Sequence, residues 1–170
     1  ITGASSGIGR AAALAFSTLA GFGLAGVLLA PEIDLNSLYH YAGFVISAIL
    51  MGMAFLSMGV MVSVLASDRT RASGAAIALW FFYVLVYDLL LLGALVFSGG
   101  QIGGDFFPYL LLLNPADIFR ILNIFSMTEV KNLYGLATVF PEALSDPKLL
   151  GAIMVLWIVA PLGIAAWRIE

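Results

Sequence analysis

Cysteine is absent from the 170 residues, which excludes disulfides and thiolate metal sites. Histidine occurs once, at His40. Between Tyr39 and Tyr41 it reads as a residue of a membrane–water interface, where amphipathic rings collect, or else as a lone ligand or proton relay. Charge is scarce: 10% of residues are charged, against about 25% in an average soluble domain. With 62% hydrophobic residues, too few polar side chains remain to cover a soluble fold. The net charge of −3 gives no reason to expect a nucleic-acid partner. Lysine occurs only at Lys131 and Lys148. No glycine-rich loop ends in Gly-Lys-Ser/Thr, so the chain has no Walker-type phosphate loop.

Long apolar runs are what the sequence does have. Ala42 to Ser67 carries no charged residue, and Ala72 to Ser98 carries one, Asp88. A helix of roughly 20 apolar residues crosses a hydrocarbon core of about 30 Å, so each run is long enough to span. Only Asp68-Arg69-Thr70-Arg71 separates them, which predicts a tight helical hairpin. Ala11 to Ala30, ended by Pro31, is a further candidate span, and Leu149 to Trp167 is the last. Pro161 removes one backbone donor from that last run and predicts a kink. The expected fold class is therefore all-α: a polytopic membrane protein with four transmembrane helices.

Small and soft residues pattern the second run. Ala48, Gly52, Gly59, Ser63 and Ala66 fall at spacings of four and seven, which predicts one face open to a close helix neighbour. Met51, Met53, Met58 and Met61 occupy other faces. Thioethers bind soft metal ions, but methionines spread around a helix fit packing or lipid contact, and no metal site is expected. Asp88 costs several kcal/mol in an apolar environment unless it is paired, protonated or near water. It is a candidate for a cargo path, for a position near the headgroups, or for a hydrogen bond to a neighbouring Trp, Tyr or Ser.

Residues 99–148 form a long segment between the third and last spans. Phe106-Phe107-Pro108 and Tyr109 to Leu113 are too short to span but apolar enough to re-enter the bilayer. Asn114-Pro115-Ala116-Asp117 then reads as a helix start, with an Asn cap, Pro at the first position and Asp at the positive end of the dipole. Ile118, Ile121, Leu122 and Phe125 follow at helical spacing, with Asp117, Arg120 and Asn123 off that face. This predicts an amphipathic helix lying in the interface plane, so an external amphipathic and re-entrant segment is expected. A second short helix is expected over Thr128 to Phe140.

The first sixteen residues differ in character from the rest. Thr2, Gly3, Gly7 and Gly9 spell Thr-Gly-x-x-x-Gly-x-Gly, which resembles the cofactor loop of the short-chain dehydrogenase/reductase family. That family's Tyr-x-x-x-Lys is missing, since Met127 and Leu144 stand four residues before the two lysines. Residues 1–16 are thus expected to be a separate N-terminal segment, a graft or scar with no dinucleotide site. Residues 17–170 are expected to form the membrane domain. Gly21, Gly23 and Gly26 spell a second apparent fingerprint, but inside a bilayer-length run they read as helix-packing residues.

Basic residues set orientation. With four spans, Arg10, Arg69, Arg71 and Arg168 share one side in short segments. Arg120, Lys131 and Lys148 are diluted over the other. Both termini are expected to be cytoplasmic.

In order and local wording, residues 17–170 resemble the last four spans of a type-two ABC exporter permease. The resemblance is carried by the Ser67-Asp68-Arg69-Thr70-Arg71-Ala72-Ser73-Gly74 hairpin, the Trp80…Asp88 span, Leu113-Asn114-Pro115 and the short terminal span ending in Arg168. Within that family the chain is similar to the permeases of nitrous-oxide reductase maturation systems of denitrifying bacteria. The resemblance implies a permease in the bacterial inner membrane, a homodimer driven by a separate ATP-binding subunit. It implies a periplasmic partner and work connected with copper-site assembly. It implies that Arg69 and Arg71 lie in the loop facing the ATPase and that Asn114 and Pro115 lie near the external gate. No catalytic residue, cofactor or metal ligand of its own is expected. The competing expectations are a short-chain reductase remnant fused to a membrane segment, and a membrane scaffold without transport. For Arg69 and Arg71 the competing role is as orientation markers that snorkel to lipid phosphates.

Overall fold

The computed structural model describes residues 20–28, 34–99, 106–126 and 146–169, and among these every regular element is helical. The elements are α1 (20–28), α2 (Leu35–Leu65), α3 (Arg69–Phe81), a π turn (Phe82–Val86), α4 (Tyr87–Phe97), α5 (Phe107–Leu111), α6 (Pro115–Ser126) and α7 (Pro147–Ile169). The π turn joins α3 and α4 into one rod. Among the described residues, three helices are long and apolar enough to cross a membrane: Ser37–Leu65, Arg69–Phe97 and Pro147–Ile169. The first expected span, Ala11 to Ala30, is described only over 20–28, where it is helical. Residues 1–16 and the helix expected at 128–140 lie outside the described residues.

Residues 1–49 and 50–170 form two compact units whose boundary falls inside α2. In the first unit, α2 starts seven residues before the apolar run because Asp34 begins it. The Asp34 carboxylate accepts from Ser37 N at 3.1 Å, and its carbonyl accepts from Leu38 N at 3.0 Å. Tyr39, His40 and Tyr41 therefore lie within the helix. Tyr41 Oη donates to the Phe22 carbonyl, and its ring lies 3.0 Å from where a Cβ on Gly26 would stand. Of the three glycines in α1, Gly26 alone meets such a neighbour; Gly21 and Gly23 face open space. The glycines are thus a packing device at one position.

In the second unit the expected four-residue turn is shorter. Asp68 is the N-cap of α3 and accepts from Arg71 N at 2.8 Å, so Arg69, Thr70 and Arg71 form the first helical turn. At the other end of the rod, Gly99 takes φ +61°, a conformation glycine adopts without a Cβ clash, and it closes the helix.

The core of this unit is Ile118, Ile121, Leu150 and Met154, with Leu50, Met51, Leu111, Leu112, Leu122 and Trp157 packed around it. The apolar face of α6 thus packs on α7 and α2, as its amphipathic pattern allows. At its two glycines the small-residue face of α2 meets no helix among the described residues. Gly52 and Gly59 have nothing near a Cβ position, and the buried positions of α2 in this unit are Ala54, Ser57 and Met58.

α7 runs through Pro161. Proline has no N–H, so the Trp157 carbonyl loses its donor from four residues on. Ser57 Oγ on α2 lies 3.2 Å from that carbonyl and 2.8 Å from the Ala54 carbonyl of its own helix. A cross-helix hydroxyl thus serves the acceptor that Pro161 orphans.

Candidate polar clamp on the third membrane helix

The turn between α5 and α6 places the polar groups. α5 ends in tight i→i+3 bonds, from Leu113 N to the Leu110 carbonyl at 3.1 Å and from Asn114 N to the Leu111 carbonyl at 3.3 Å. Helix C-termini leave carbonyls without intrahelical donors. Here two spans supply extra donors: Tyr87 Oη to the Leu110 carbonyl at 2.7 Å and Trp157 Nε1 to the Leu112 carbonyl at 3.2 Å. Asn114 then starts α6. Its Oδ1 accepts from Ala116 N at 3.0 Å, and Pro115 takes the first helical position. Asn114 and Pro115 are both fully buried.

The Asn114 amide has a second use. Its Nδ2 donates to the Tyr83 carbonyl at 2.8 Å and to Asp117 Oδ2 at 2.9 Å. Tyr83 lies inside the π turn, where Tyr87 N–H reaches back five residues to the Phe82 carbonyl. Arg120 Nη2 approaches the next carbonyl, Val84, at 3.5 Å. Side chains inserted beside a helical ladder are one of the identified causes of local helix distortion. The rings of Tyr83 and Trp157 meet edge to face at 5.4 Å, so α7 backs the same turn.

Charge completes the cluster. Arg120 Nη1 pairs with Asp88 Oδ2 on α4 and with Asp117 Oδ1 at 2.7 Å. Two carboxylates therefore share one guanidinium nitrogen. Asp117 is 4% exposed. Burial, and then the nearby Asp88 charge, push its carboxyl up to about 6, against the opposing pull of Arg120 and Asn114. No buried side-chain nitrogen or oxygen lacks a partner among the described residues.

The site residues read from sequence thus fall into two groups, one at the start of the rod and one near its middle. Asp88, Asn114 and Pro115 come together, joined through Asp117 and Arg120. Arg69 and Arg71 lie at the hairpin. Arg71 is tied back, with Nε 3.1 Å from Asp68 Oδ2 and Nη1 3.3 Å from Ser67 Oγ. Arg69 is exposed and has no ion pair among the described residues. Sequence reasoning missed Arg120 and Asp117 as Asp88's partners. The signal was available: a lone carboxylate in a span calls for a cation, and Arg120 is the basic residue on the polar face of the nearest capped helix. Nothing in the sequence marked Tyr83, Tyr87 or Trp157.

Fold and clamp together define an α-helical protein with membrane-length spans and a short amphipathic helix docked on them. A model of the ABC-2 family transporter proteins matches residues 7–170, and the chain belongs to that family. It is 38% identical over 164 residues to the probable ABC transporter permease protein NosY of Pseudomonas aeruginosa, covering 93% of this chain and 58% of that protein. It is 40% identical over 121 residues to the probable ABC transporter permease protein NosY of Stutzerimonas stutzeri, covering 69% of this chain and 44% of that one. The chain spans about half the length of these relatives. The family match begins at residue 7, inside the stretch that the sequence sets apart as 1–16.

Proposed function

We propose that this chain is part of the permease subunit of an ABC transporter in the bacterial cytoplasmic membrane, driven by a separate ATP-binding subunit. It carries no chemistry of its own. The observation that supports this most is the match to the ABC-2 family over residues 7–170, together with two relatives named as ABC transporter permeases. The likeness to those relatives and the wording of the hairpin and of Leu113-Asn114-Pro115 favour service in nitrous-oxide reductase maturation, with copper-site assembly as its end. The permease works as a homodimer with both termini in the cytoplasm and a periplasmic partner outside.

In this proposal Arg69 and Arg71 sit in the ATPase-facing hairpin, and Arg69 is the cation free to pair with a carboxylate of the ATPase. Arg71 orders the turn through Asp68. Asn114 and Pro115 belong to the external gate, and Asp88 acts at the same gate beside the cargo path. The rod Arg69–Phe97 carries both ends, so a push at the hairpin reaches the clamp through one continuous element.

The test is co-expression of the full-length permease with the ABC ATPase encoded beside it. The two should co-purify, and ATP hydrolysis by the complex in nanodiscs should exceed that of the ATPase alone. A strain lacking the permease should make nitrous-oxide reductase deficient in copper. An ATPase that neither binds nor responds would overturn the transporter assignment, and a fully copper-loaded reductase would overturn the maturation role.

A further inference from the structure

We propose that Asn114, Asp117 and Arg120 form a proton-sensitive latch that holds α6 on the π turn of the third membrane helix. Three observations carry it. The Asn114 amide and the Arg120 guanidinium reach the carbonyls of Tyr83 and Val84 inside the π turn. Asp117 and Asp88, from two different elements, share Arg120 Nη1. Asp117 is buried while its partner Arg120 remains partly exposed, so the group that pays most for ionisation sits behind the group that reaches water.

The groups facing Asp117 come from every element around it. The rod contributes Asp88, Tyr83 and Tyr87; α6 contributes Arg120; the turn contributes Asn114. α7 brings Leu150, Met154 and Trp157, and α2 brings Leu50 and Met51, to the packing beneath. With both carboxylates ionised, one guanidinium faces two negative charges, and one of them, on Asp117, sits in a poorly solvated place. One proton on Asp117 makes the cluster neutral. Asp88 keeps its ion pair, and Asn114 keeps its bond to the Tyr83 carbonyl.

The sign follows from linkage. The carboxyl of Asp117 is raised from 3.8 to about 6 in the closed latch and returns to its ordinary value when α6 lifts into water. The closed state therefore binds the proton more tightly, and the latch strengthens as pH falls from about 7 towards 4. Between pH 7.5 and pH 5 the opening equilibrium constant should fall about ten-fold. Opening at pH 5 releases a proton, so an acidic exterior holds the π turn in place and a neutral one frees it.

Hydrogen exchange of the full-length permease in nanodiscs reads this directly. After correction for intrinsic chemistry, protection of the amides of residues 117–123 should rise about ten-fold from pH 7.5 to pH 5. In Asp117→Asn the corrected protection should not change with pH. Flat protection in the wild-type chain, or an unaltered pH response in Asp117→Asn, would overturn the latch. Infrared spectroscopy of the wild-type chain is the second measurement, in case the variant does not fold. A protonated-carboxyl band should grow as pH falls through about 6, and its absence would overturn the proposal equally.

Discussion

Asn114 is the residue on which most of the clamp converges. One side chain caps α6, holds Asp117 and reaches the π turn. Asn114→Leu keeps the volume and removes all three bonds. Losing a helix cap costs about 1 kcal/mol, and leaving buried polar groups unpaired costs about 1–3 kcal/mol. The variant should therefore lose about 3 kcal/mol of stability, seen as a clearly lowered unfolding midpoint in detergent. A midpoint within error of wild type would mean that these bonds contribute nothing net.

Ser57 offers a smaller and sharper case. Its hydroxyl serves the carbonyl that Pro161 orphans, and a single buried hydrogen bond contributes about 1 kcal/mol. Ser57→Ala should cost about that amount. Pro161→Ala restores an N–H for the Trp157 carbonyl, so Ser57→Ala should cost measurably less in that background. A double-mutant cycle gives this coupling, and additive effects would remove the link between the two residues.

At the scale of elements, Asp68 decides how the hairpin is built. Its cap on α3 and its ion pair to Arg71 make a helical start where a loop was expected from composition. Asp68→Ala should destabilise the hairpin by about 1 kcal/mol and free Arg71. Hydrogen exchange at the amides of residues 70–72 should quicken in the variant; unchanged exchange would mean that Asp68 does not hold the turn.

The same scale shows what was legible beforehand. Bilayer-length runs placed the three described spans to within about three residues at every end but the start of α2, because apolar length is a property of the local string. The Asn114-Pro115 helix start was legible for the same reason, since capping acts over three residues. The π turn was not, because Phe82–Val86 is an ordinary helical string and what accompanies its changed register is a contact with Asn114, 31 positions away along the chain. The fate of α6 was half legible. Its amphipathic face was plain, but the pattern is the same whether that face meets lipid headgroups or Leu150 and Met154. Asp88 called for a partner, and only the fold could bring Arg120 to it.

For the whole molecule, the rod Arg69–Phe97 is the element that connects both candidate regions. Its hairpin end presents Arg69, and its far half is gripped by α6. A partner pressing on Arg69 acts on the same rigid helix whose π turn the latch holds. A helix of this length and hydropathy that crosses the membrane has its ends on opposite sides, and the proposed function puts the hairpin end toward the ATPase.

Site-specific cross-linking in a cysteine-free background tests this most directly, and these 170 residues contain no cysteine to replace. Thr70→Cys, in the exposed first turn of α3, is placed in the full-length permease, and Gln101→Cys serves as its counterpart beyond the other end of the rod. In membrane vesicles containing the ATP-binding subunit, a short bifunctional reagent should join position 70 to that subunit, and a membrane-impermeant thiol reagent should label position 101 from outside intact cells. Cross-linking of position 101 to the ATPase, or labelling of position 70 from outside, would contradict the account.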